Sequence, residues 1–412
     1  MSAFRFVHAA DLHLGSPFAG LARVDAGVAG RFAAASREAF SDLVTRAIDA
    51  EAAFVVVAGD IYDAEWRDNS IGLFFNRELA RLDRAGIRVA LIKGNHDAES
   101  VVTRTISLPD NVLQFPSAKA ATVRLDDLKV ALHGQSFADR AAPQNLAAFY
   151  PAPVPGWFNI GLLHTSCEGF SAHATYAPCT VAELSLRGYD YWALGHVHEH
   201  AVLSRDPWIV FSGVLQGRSV RECGPKGAVM VEVEDGCVAS VDRLIVDRAR
   251  WADLVVDLDG VEDETVALAR IEAAVRPVAE EAEGRLVAVR LTLSGATRLA
   301  GRFAADPRRI ADEAQAAAQR VHADIWLEKL KLRVAPPPRA LATAPELKSF
   351  DLAALLDGLD REPELVERAK ATVAQVAGKL PGGLGDDEAA LGDDVEALLA
   401  QARALALGRL QA

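Results

Sequence analysis

The sequence predicts an α/β protein in which a large sheet-containing domain is followed by a smaller α+β domain and a helical tail. From residue 4 to about 245, short apolar runs alternate with longer segments of helical periodicity, as expected when strands are buried between helices. A second alternation of strand-like and helical segments begins near Trp251 and ends at Pro336, Pro337 and Pro338. Leucine-rich stripes at helical spacing follow. At 412 residues, the chain is long enough for two or three domains.

The first predicted domain, residues 1–248, opens with a strand, a helix and a strand. Apolar residues 4–10 lead into Asp11, residues 31–52 carry apolar side chains at helical spacing, and residues 54–58 lead into Gly59 and Asp60. Such a unit predicts parallel pairing of the two strands. Parallel strands collect ligands at their carboxyl ends. Further strands that end in polar motifs are predicted over 89–92, 160–163 and 191–194.

The second predicted domain, residues 249–335, and the tail have simpler patterns. Residues 336–348 are predicted to be a proline-rich linker, and 349–412 a helical region in three amphipathic stripes, 352–359, 365–376 and 395–405. These stripes either pack on the protein itself or dock on helices of a partner. Within 249–335 we expect strands over 252–258, 286–293 and 325–334, and helices over 262–282 and 308–321.

Five polar motifs follow the predicted strands and together supply ligands for two metal ions. Two divalent ions about 3.5 to 4 Å apart can clamp a phosphodiester and neutralise charge on its leaving oxygen. Asp60 is the natural bridging carboxylate, and Asn95 offers a neutral oxygen. The motifs are Asp11-x-His13, Gly59-Asp60-Ile61-Tyr62-Asp63, Gly94-Asn95-His96-Asp97, His164 and Gly195-His196-Val197-His198.

The remaining polar residues of these motifs suggest supporting roles. His96 directly follows Asn95 and cannot easily point the same way, so we expect it to protonate the leaving oxygen. Asp63 and Asp97 are expected either to orient histidines through ring N–H groups or to act as turn and cap residues. An extended segment through His196 and His198 would place both imidazoles on one side. Imidazole, carboxylate and amide ligands without thiolate suit manganese, iron or zinc.

Composition limits the function classes. The net charge of -13 argues against a general polyanion-binding surface. No run of about eighteen apolar residues suits a membrane span, and no leader pattern is visible at the N-terminus. Four cysteines without a CxxC pair favour reduced thiols. We therefore expect a cytoplasmic protein without a membrane segment.

The five motifs resemble those of the calcineurin-like metallophosphoesterase superfamily. With the opening Phe6-Val7-His8-Ala9-Ala10-Asp11-Leu12-His13, they are similar to its DNA repair exonuclease branch, of the SbcD type and, closer still, the YhaO type. The later segments that carry this likeness are 211–218, Glu222, Gly224, 226–228 and 325–330. The fold implied is a metallophosphoesterase sandwich of mixed sheets flanked by helices.

The resemblance also implies a set of roles. One metal would take Asp11, His13, Asp60 and His198, and the other would take Asp60, Asn95, His164 and His196. The ions would be manganese, and the activity would be that of a DNA exonuclease or endonuclease in DNA repair. The domain at 249–335 would cap the active site. The chain would form a homodimer and bind an SbcC-like coiled-coil ATPase through its C-terminal helices.

The sequence also offers candidate DNA contacts and two alternative functions. Positive charge is scattered, and the best candidates for DNA contacts are Arg104, Arg218, Arg221 and Lys226, which flank the motifs. The same core would also suit a phosphatase or phosphodiesterase that acts on a small or protein-borne phosphate. A non-catalytic scaffold is the second alternative, which the complete ligand set and His96 disfavour.

Overall fold

The computed structural model describes most of the chain in two compact units. One comprises Met1–Ala252 and Arg285–Ala288, and the other Asp253–Gly284 and Val289–Ala412. Arg104 and the predicted stripe 352–359 lie outside the described residues, and the stripe 395–405 is described only at single positions. The described residues are 3–16, 26–63, 69–99, 107–139, 142–167, 176–337 and 362–377, with five single residues near the C-terminus.

The first unit contains a six-stranded mixed sheet with the order β12-β11-β1-β2-β3-β4. Strands β1 to β4 are parallel, whereas β11 runs antiparallel to β1 and β12 antiparallel to β11. The predicted parallel pairing of the first two strands is confirmed, with Phe6 opposite Phe54. The strands are β1 (Phe4–Ala9), β2 (Phe54–Ala58), β3 (Arg88–Ile92), β4 (Val112–Gln114), β11 (Gly227–Glu234) and β12 (Cys237–Ile245).

A second six-stranded sheet has the order β5-β6-β7-β8-β10-β9. Its four central strands are parallel, and β5 and β9 run antiparallel to their neighbours at the edges. The predicted α/β class with mixed sheets is therefore confirmed. The strands are β5 (Ala121–Leu125), β6 (Val130–Gly134), β7 (Phe158–His164), β8 (Tyr191–Gly195), β9 (Ala201–Arg205) and β10 (Trp208–Phe211).

Apolar side chains of both sheets form one core. Phe6 stacks on Phe54 at 5.0 Å between ring centroids and meets Tyr191 of the other sheet edge-on at 5.3 Å. His8 lies in the same core, where its Nε2 donates to the Leu194 carbonyl at 3.2 Å and its Nδ1 accepts from the Tyr191 hydroxyl at 3.0 Å. Burial lowers the pKa of His8 to about 3, although the bond to Leu194 opposes this shift. His8 is thus a neutral core residue.

Helices cover the outer faces of the two sheets. The outward residues of the first sheet, including Val7, Val55 and Leu91, pack with Phe40 and Phe75 of two long helices. Those of the second sheet pack with residues around a short helix and a 3-10 turn, Leu146–Phe149. The helices are α1 (Ala26–Asp49), α2 (Asn69–Arg84), α3 (Asn95–Glu99) and α4 (Val181–Ser185).

The second unit contains most of a three-stranded sheet, in the order β13-β14-β15, and its helices. Arg290 and Glu328 form a pair at 2.8 Å, with side chains 10% and 7% exposed. The elements are β13 (Ala249–Asp257), α5 (Glu264–Glu281), β14 (Leu286–Ala296), α6 (Ala300–Ala305), α7 (Pro307–Val321) and β15 (Ile325–Ala335).

One helix of the tail is described, α8 (Pro363–Ala377). It begins at the proline that marks the predicted helix start. Its apolar stripe remains partly exposed, since Leu365 is 37% and Val376 46% accessible. Among the described helices, none combines the length and the low charge needed to cross a membrane.

Candidate metal centre

The five motifs follow five parallel strands that belong to two different sheets. Three motifs extend from β1, β2 and β3, and two extend from β7 and β8. Asp11 donates its backbone N–H to the Gly59 carbonyl at 3.0 Å, and His13 does so to the Asp60 carbonyl at 3.1 Å. Between the sheets, the backbone N–H of His196 donates to the Asp11 carboxylate at 3.0 Å. The polar residues therefore meet where the carboxyl ends of the strands of both sheets come together.

Four site residues have left-handed backbone conformations. The φ angles are 51° at Asp11, 41° at His13, 54° at Asp60 and 95° at His196. Residues with a β-carbon rarely adopt such angles, and they concentrate at functional sites. The turn at Asp11 takes the chain out of β1. This turn is needed because Asp11 and His13 follow the same strand and could not otherwise face the same ion. The backbone therefore adopts an energetically unfavourable conformation at these four positions, and this conformation directs their side chains into the site.

Glycines allow the motif loops to approach one another. A β-carbon at Gly59 would lie 2.6 Å from Nδ1 of His164, and one at Gly195 would lie 3.0 Å from the same atom. A β-carbon at Gly94 would overlap Oδ1 of Asp60. The glycine that opens each of these three motifs is therefore needed for space around the ligand residues His164 and Asp60.

One group of ligand atoms is formed by His13, His198 and Asp11. The Nε2 atoms of His13 and His198 lie 3.2 Å apart, and a carboxylate oxygen of Asp11 lies within 4.8 Å of both rings' ligand atoms. His13 Nδ1 donates to Asp63 at 2.9 Å, which leaves its Nε2 lone pair directed at the group.

A second group is formed by His164, Asn95 and Asp60. His164 Nε2 lies 3.0 Å from Oδ1 of Asn95 and 3.4 Å from Oδ2 of Asp60. His164 Nδ1 donates to the Ala58 carbonyl at 2.9 Å, so in the neutral ring the lone pair is on Nε2. The same Oδ2 of Asp60 lies 4.0 Å from Nε2 of His13. Asp60 therefore stands between the two groups, where a bridging carboxylate would lie.

These separations fit divalent ions. Ligand atoms about 2.1 Å from an ion are about 3.0 Å apart at right angles and about 3.4 Å apart at the tetrahedral angle. The ligand-atom distances within the two groups, 3.0, 3.2 and 3.4 Å, fall in this range. The donor set contains imidazole, carboxylate and amide groups but no thiolate, which suits manganese, iron or zinc.

Burial makes the charges of this centre interdependent. Burial raises the pKa of Asp11 to about 6, although His164 and His198 oppose the shift. Burial also disfavours charge at His164, but the Asp60 carboxylate prevails and raises the pKa of His164 to about 9. The same pairing outweighs burial at Asp60 and holds its pKa well below the usual range. Buried carboxylates need a positive counterpart, which divalent ions would supply.

His96 and Asp63 lie beside the first group. The His96 side chain is 32% exposed, and its Nδ1 lies 3.3 Å from the Asp63 carboxylate, which also accepts from His13. The His96 backbone N–H donates to Oδ1 of Asp60 at 3.0 Å. Asp63 thus contacts two histidine rings, which is one of the two alternatives given for it above, and the partly exposed ring of His96 is accessible to a substrate.

The structure distinguishes between the two alternatives for Asp97, and it places His196 and His198 differently from an extended segment. Asp97 accepts from the backbone N–H groups of Ile61, Tyr62 and Gly94 at 2.9 to 3.1 Å, so it holds loops together as a turn residue. The segment from His196 to His198 is not extended, because φ is 95° at His196. The His196 ring therefore meets His164 at 5.2 Å between centroids, whereas His198 faces His13 in the other group.

The three described candidates for DNA contacts, Arg218, Arg221 and Lys226, differ in exposure and in pairing. Arg221 is exposed, while Lys226 is only 7% exposed, a position unsuited to phosphate contact. Arg218 pairs with Glu222 at 3.0 Å and lies 3.7 Å from Asp63.

Glu222 is a site residue to which the sequence analysis gave no role, although it named this glutamate among the residues that carry the family resemblance. Its Oε1 accepts from His198 Nδ1 at 2.7 Å, so it stands to His198 as Asp63 stands to His13. It lies 24 positions after His198 along the chain, outside all five motifs. The available signal was its place among the segments between 211 and 228 that carry the resemblance.

Comparison with known proteins agrees with this geometry. Residues 4–200 match the calcineurin-like phosphoesterase family, and residues 251–335 match the middle domain of metallophosphoesterase YhaO. The chain belongs to the calcineurin-like metallophosphoesterases. Within them it is YhaO-like: it is 32% identical to a Bacillus subtilis protein named "Uncharacterized metallophosphoesterase YhaO", over 70% of this chain and 71% of that protein.

More distant relatives are described as the DNA double-strand break repair protein Mre11. The one from Sulfurisphaera tokodaii is 22% identical, over 64% of this chain and 68% of its own length. The one from Haloferax volcanii is 27% identical, over 55% of this chain and 50% of its own length. These relatives support the DNA repair branch of the family.

Proposed function

We propose that this metallophosphoesterase is a two-metal phosphodiesterase that cleaves DNA. The observation that carries the proposal is the pair of ligand groups that share Asp60, one around His13 and His198 and the other around His164 and Asn95. The Mre11-named relatives supply the reason to choose DNA among phosphoesters. We assign Asp11, His13, Asp60 and His198 to one ion and Asp60, Asn95, His164 and His196 to the other, with manganese as the ion.

The protein's own residues have distinct tasks in this mechanism. Bound divalent ions supply Lewis acidity and lower the pKa of water. Asp63 holds His96 at Nδ1, so the other ring nitrogen of His96, Nε2, donates its proton to the departing sugar oxygen. Left-handed backbone at Asp11 and Asp60 fixes the carboxylates before substrate arrives, which avoids reorganisation during the reaction.

The assembly is part of the same proposal. We propose that residues 249–335 cap the active site, that the chain forms a homodimer, and that residues 349–412 dock on an SbcC-like ATPase. The exposed apolar residues of α8, Leu365 and Val376, support docking. The nuclease would then be the exonuclease or endonuclease subunit of a DNA repair complex.

A phosphatase or phosphodiesterase for a small or protein-borne phosphate is the second candidate. The observations that favour it are the net charge of -13 and the placement of the basic residues near the site. Lys226 is buried and Arg218 is paired with carboxylates, so two of the three described candidates for DNA contacts are poorly placed to neutralise a phosphate backbone.

The decisive experiment is cleavage of end-labelled linear DNA by the purified full chain with Mn²⁺. Asp60→Asn removes the shared carboxylate, while Asp127→Asn removes a surface carboxylate as a matched control. We expect the wild type and Asp127→Asn to cut DNA and Asp60→Asn to be inactive. Turnover of a phosphomonoester without DNA cleavage would favour the second candidate. Inactivity on both substrates, even with the ATPase partner, would favour a scaffold.

A further inference from the structure

The ring nitrogen of His198 that points away from His13 has two competing neighbours. His198 Nδ1 lies 2.7 Å from Oε1 of Glu222 and 3.3 Å from Nη2 of Arg218. A carboxylate accepts a hydrogen bond, whereas a guanidinium only donates. The two neighbours therefore favour opposite tautomers of a neutral His198.

The tautomer decides whether His198 can bind a cation. If Nδ1 donates to Glu222, the lone pair is on Nε2, which lies 3.2 Å from Nε2 of His13. If Nδ1 instead accepts from Arg218, the proton moves to Nε2 and faces His13, so that Nε2 cannot serve as a ligand. The shorter contact to Glu222 selects the binding tautomer.

Contacts with carboxylates hold the Arg218 guanidinium, so that it does not compete with Glu222 for Nδ1 of His198. Its Nη2 donates to Oε1 of Glu222 at 3.0 Å, and its backbone N–H donates to Oε2 at 2.7 Å. Its Nη1 lies 3.7 Å from the Asp63 carboxylate, which accepts from His13. One guanidinium thus lies between the two carboxylates that orient the two histidines of a single ligand group, and all three side chains are less than 20% exposed.

We propose that Glu222 is a positioning residue that sets the tautomer of His198 and that Arg218 ties Glu222 to Asp63, so that both histidines are oriented as one unit for one ion. This inference rests on the metal centre of the proposed function and adds a residue to it. Glu222 acts only on the ion that His13 and His198 face. The ion beside His164 and Asn95 does not depend on it.

The test compares Glu222→Ala with Glu222→Gln, which retains an oxygen acceptor of nearly the same shape. The matched control is Glu232→Ala, which removes a surface glutamate paired with Arg5 at 2.9 Å. Imidazole ¹⁵N spectra of the metal-free full chain report the tautomer, and calorimetric titration with Mn²⁺ reports the two affinities. The double variant Glu222→Ala/Arg218→Met removes the competing donor as well.

We expect Glu222→Ala to lose the Nδ1–H tautomer of His198 and to bind one Mn²⁺ about 10 to 100 times more weakly, with the other affinity within twofold of the wild type. Glu222→Gln should lie between Glu222→Ala and the wild type. The double variant should regain part of the lost affinity, an effect that a merely structural role for Glu222 would not produce.

The inference is overturned if Glu222→Ala keeps the wild-type tautomer and both affinities, if the two affinities fall equally, or if the wild type binds no Mn²⁺. Failure of the proposed function looks different. In that case the wild type binds two Mn²⁺ ions but leaves DNA intact, and the affinities of the variants still decide the role of Glu222.

Discussion

Replacing Gly94 by alanine should damage the metal centre without removing any ligand. The added β-carbon would overlap Oδ1 of Asp60 and lie 2.7 Å from its backbone nitrogen. Ordinary contact begins at 3.4 Å, so relief of this contact alone requires the backbone of Asp60 to move by 3.4 minus 2.7, or 0.7 Å. Since Gly94 lacks a positive φ, the effect is one of space rather than of backbone conformation.

A displacement of this size has measurable consequences. A misplacement of about 1 Å at a reacting centre can cost about 100-fold in rate, and overpacking costs about 1 to 3 kcal/mol of stability. For Gly94→Ala we expect at least about tenfold weaker Mn²⁺ binding, about 100-fold lower kcat/KM for DNA cleavage, and a free energy of unfolding lowered by about 1 to 3 kcal/mol.

The assay pairs Mn²⁺ titration with cleavage kinetics and urea unfolding, and Gly30→Ala is its control. A β-carbon at Gly30 on α1 has nothing within 4 Å, so this variant should gain about 0.5 to 1 kcal/mol of stability and keep both affinities. If Gly94→Ala binds two Mn²⁺ ions as tightly as the wild type, close approach of the two loops is not needed to place Asp60, and the reasoning fails.

Three other predictions concern proton transfer, pH and a buried ion pair. His96→Ala should keep both Mn²⁺ affinities but lower kcat for DNA cleavage by about 10²-fold to 10⁴-fold. Asp63→Asn should also lower kcat. The pKa of His8 is about 3 in the folded protein against 6.5 unfolded, so its contribution to stability is complete above pH 6.5 and is lost as the pH falls towards 3. In urea unfolding the wild type should lose about 2 kcal/mol more than His8→Gln between pH 7 and 5. Glu328→Gln leaves Arg290 without its charged partner and should lower the free energy of unfolding by about 3 kcal/mol.

Each of these predictions has its own control or contrary result. A phosphodiester with a p-nitrophenolate leaving group needs no protonation, so His96→Ala should impair its cleavage much less than that of DNA. Equal losses on both substrates would exclude His96 as the acid. Parallel pH profiles for the wild type and His8→Gln would exclude a role for His8 in acid sensitivity. Glu272→Gln breaks a half-exposed pair with Arg320 and should cost less than about 1 kcal/mol, so a similar cost at Glu328 would contradict the burial argument.

The sequence predicted the strands that carry the centre because their patterns are local. Residues 54–58 are β2 as predicted, and β1, β3, β7 and β8 differ from prediction by at most two residues at either end. A buried strand in a parallel sheet is apolar on both faces, so a run that stops at a polar motif shows where the strand ends. The helices at 264–281 and 307–321 were predicted from periodicity in the same way.

Other features depended on contacts between distant segments. Nothing in the five runs shows that β1 to β3 and β7 to β8 belong to separate sheets, because each run is equally apolar. The opposite directions of His196 and His198 depend on a φ of 95°, which periodicity cannot predict. The role of Asp97 likewise depends on three backbone N–H groups, two of them in another loop.

The sequence by itself determined the ligand types and their order, because the chemistry of imidazole, carboxylate and amide groups belongs to the residues. Only the tertiary structure decided which atoms face one another. His13 and His198 are 185 positions apart, yet their Nε2 atoms lie 3.2 Å apart. Glu222 contacts His198 although it lies outside the five motifs. Hydrogen bonds and tautomers depend on distances of a few ångströms, and the packing of two sheets sets those distances.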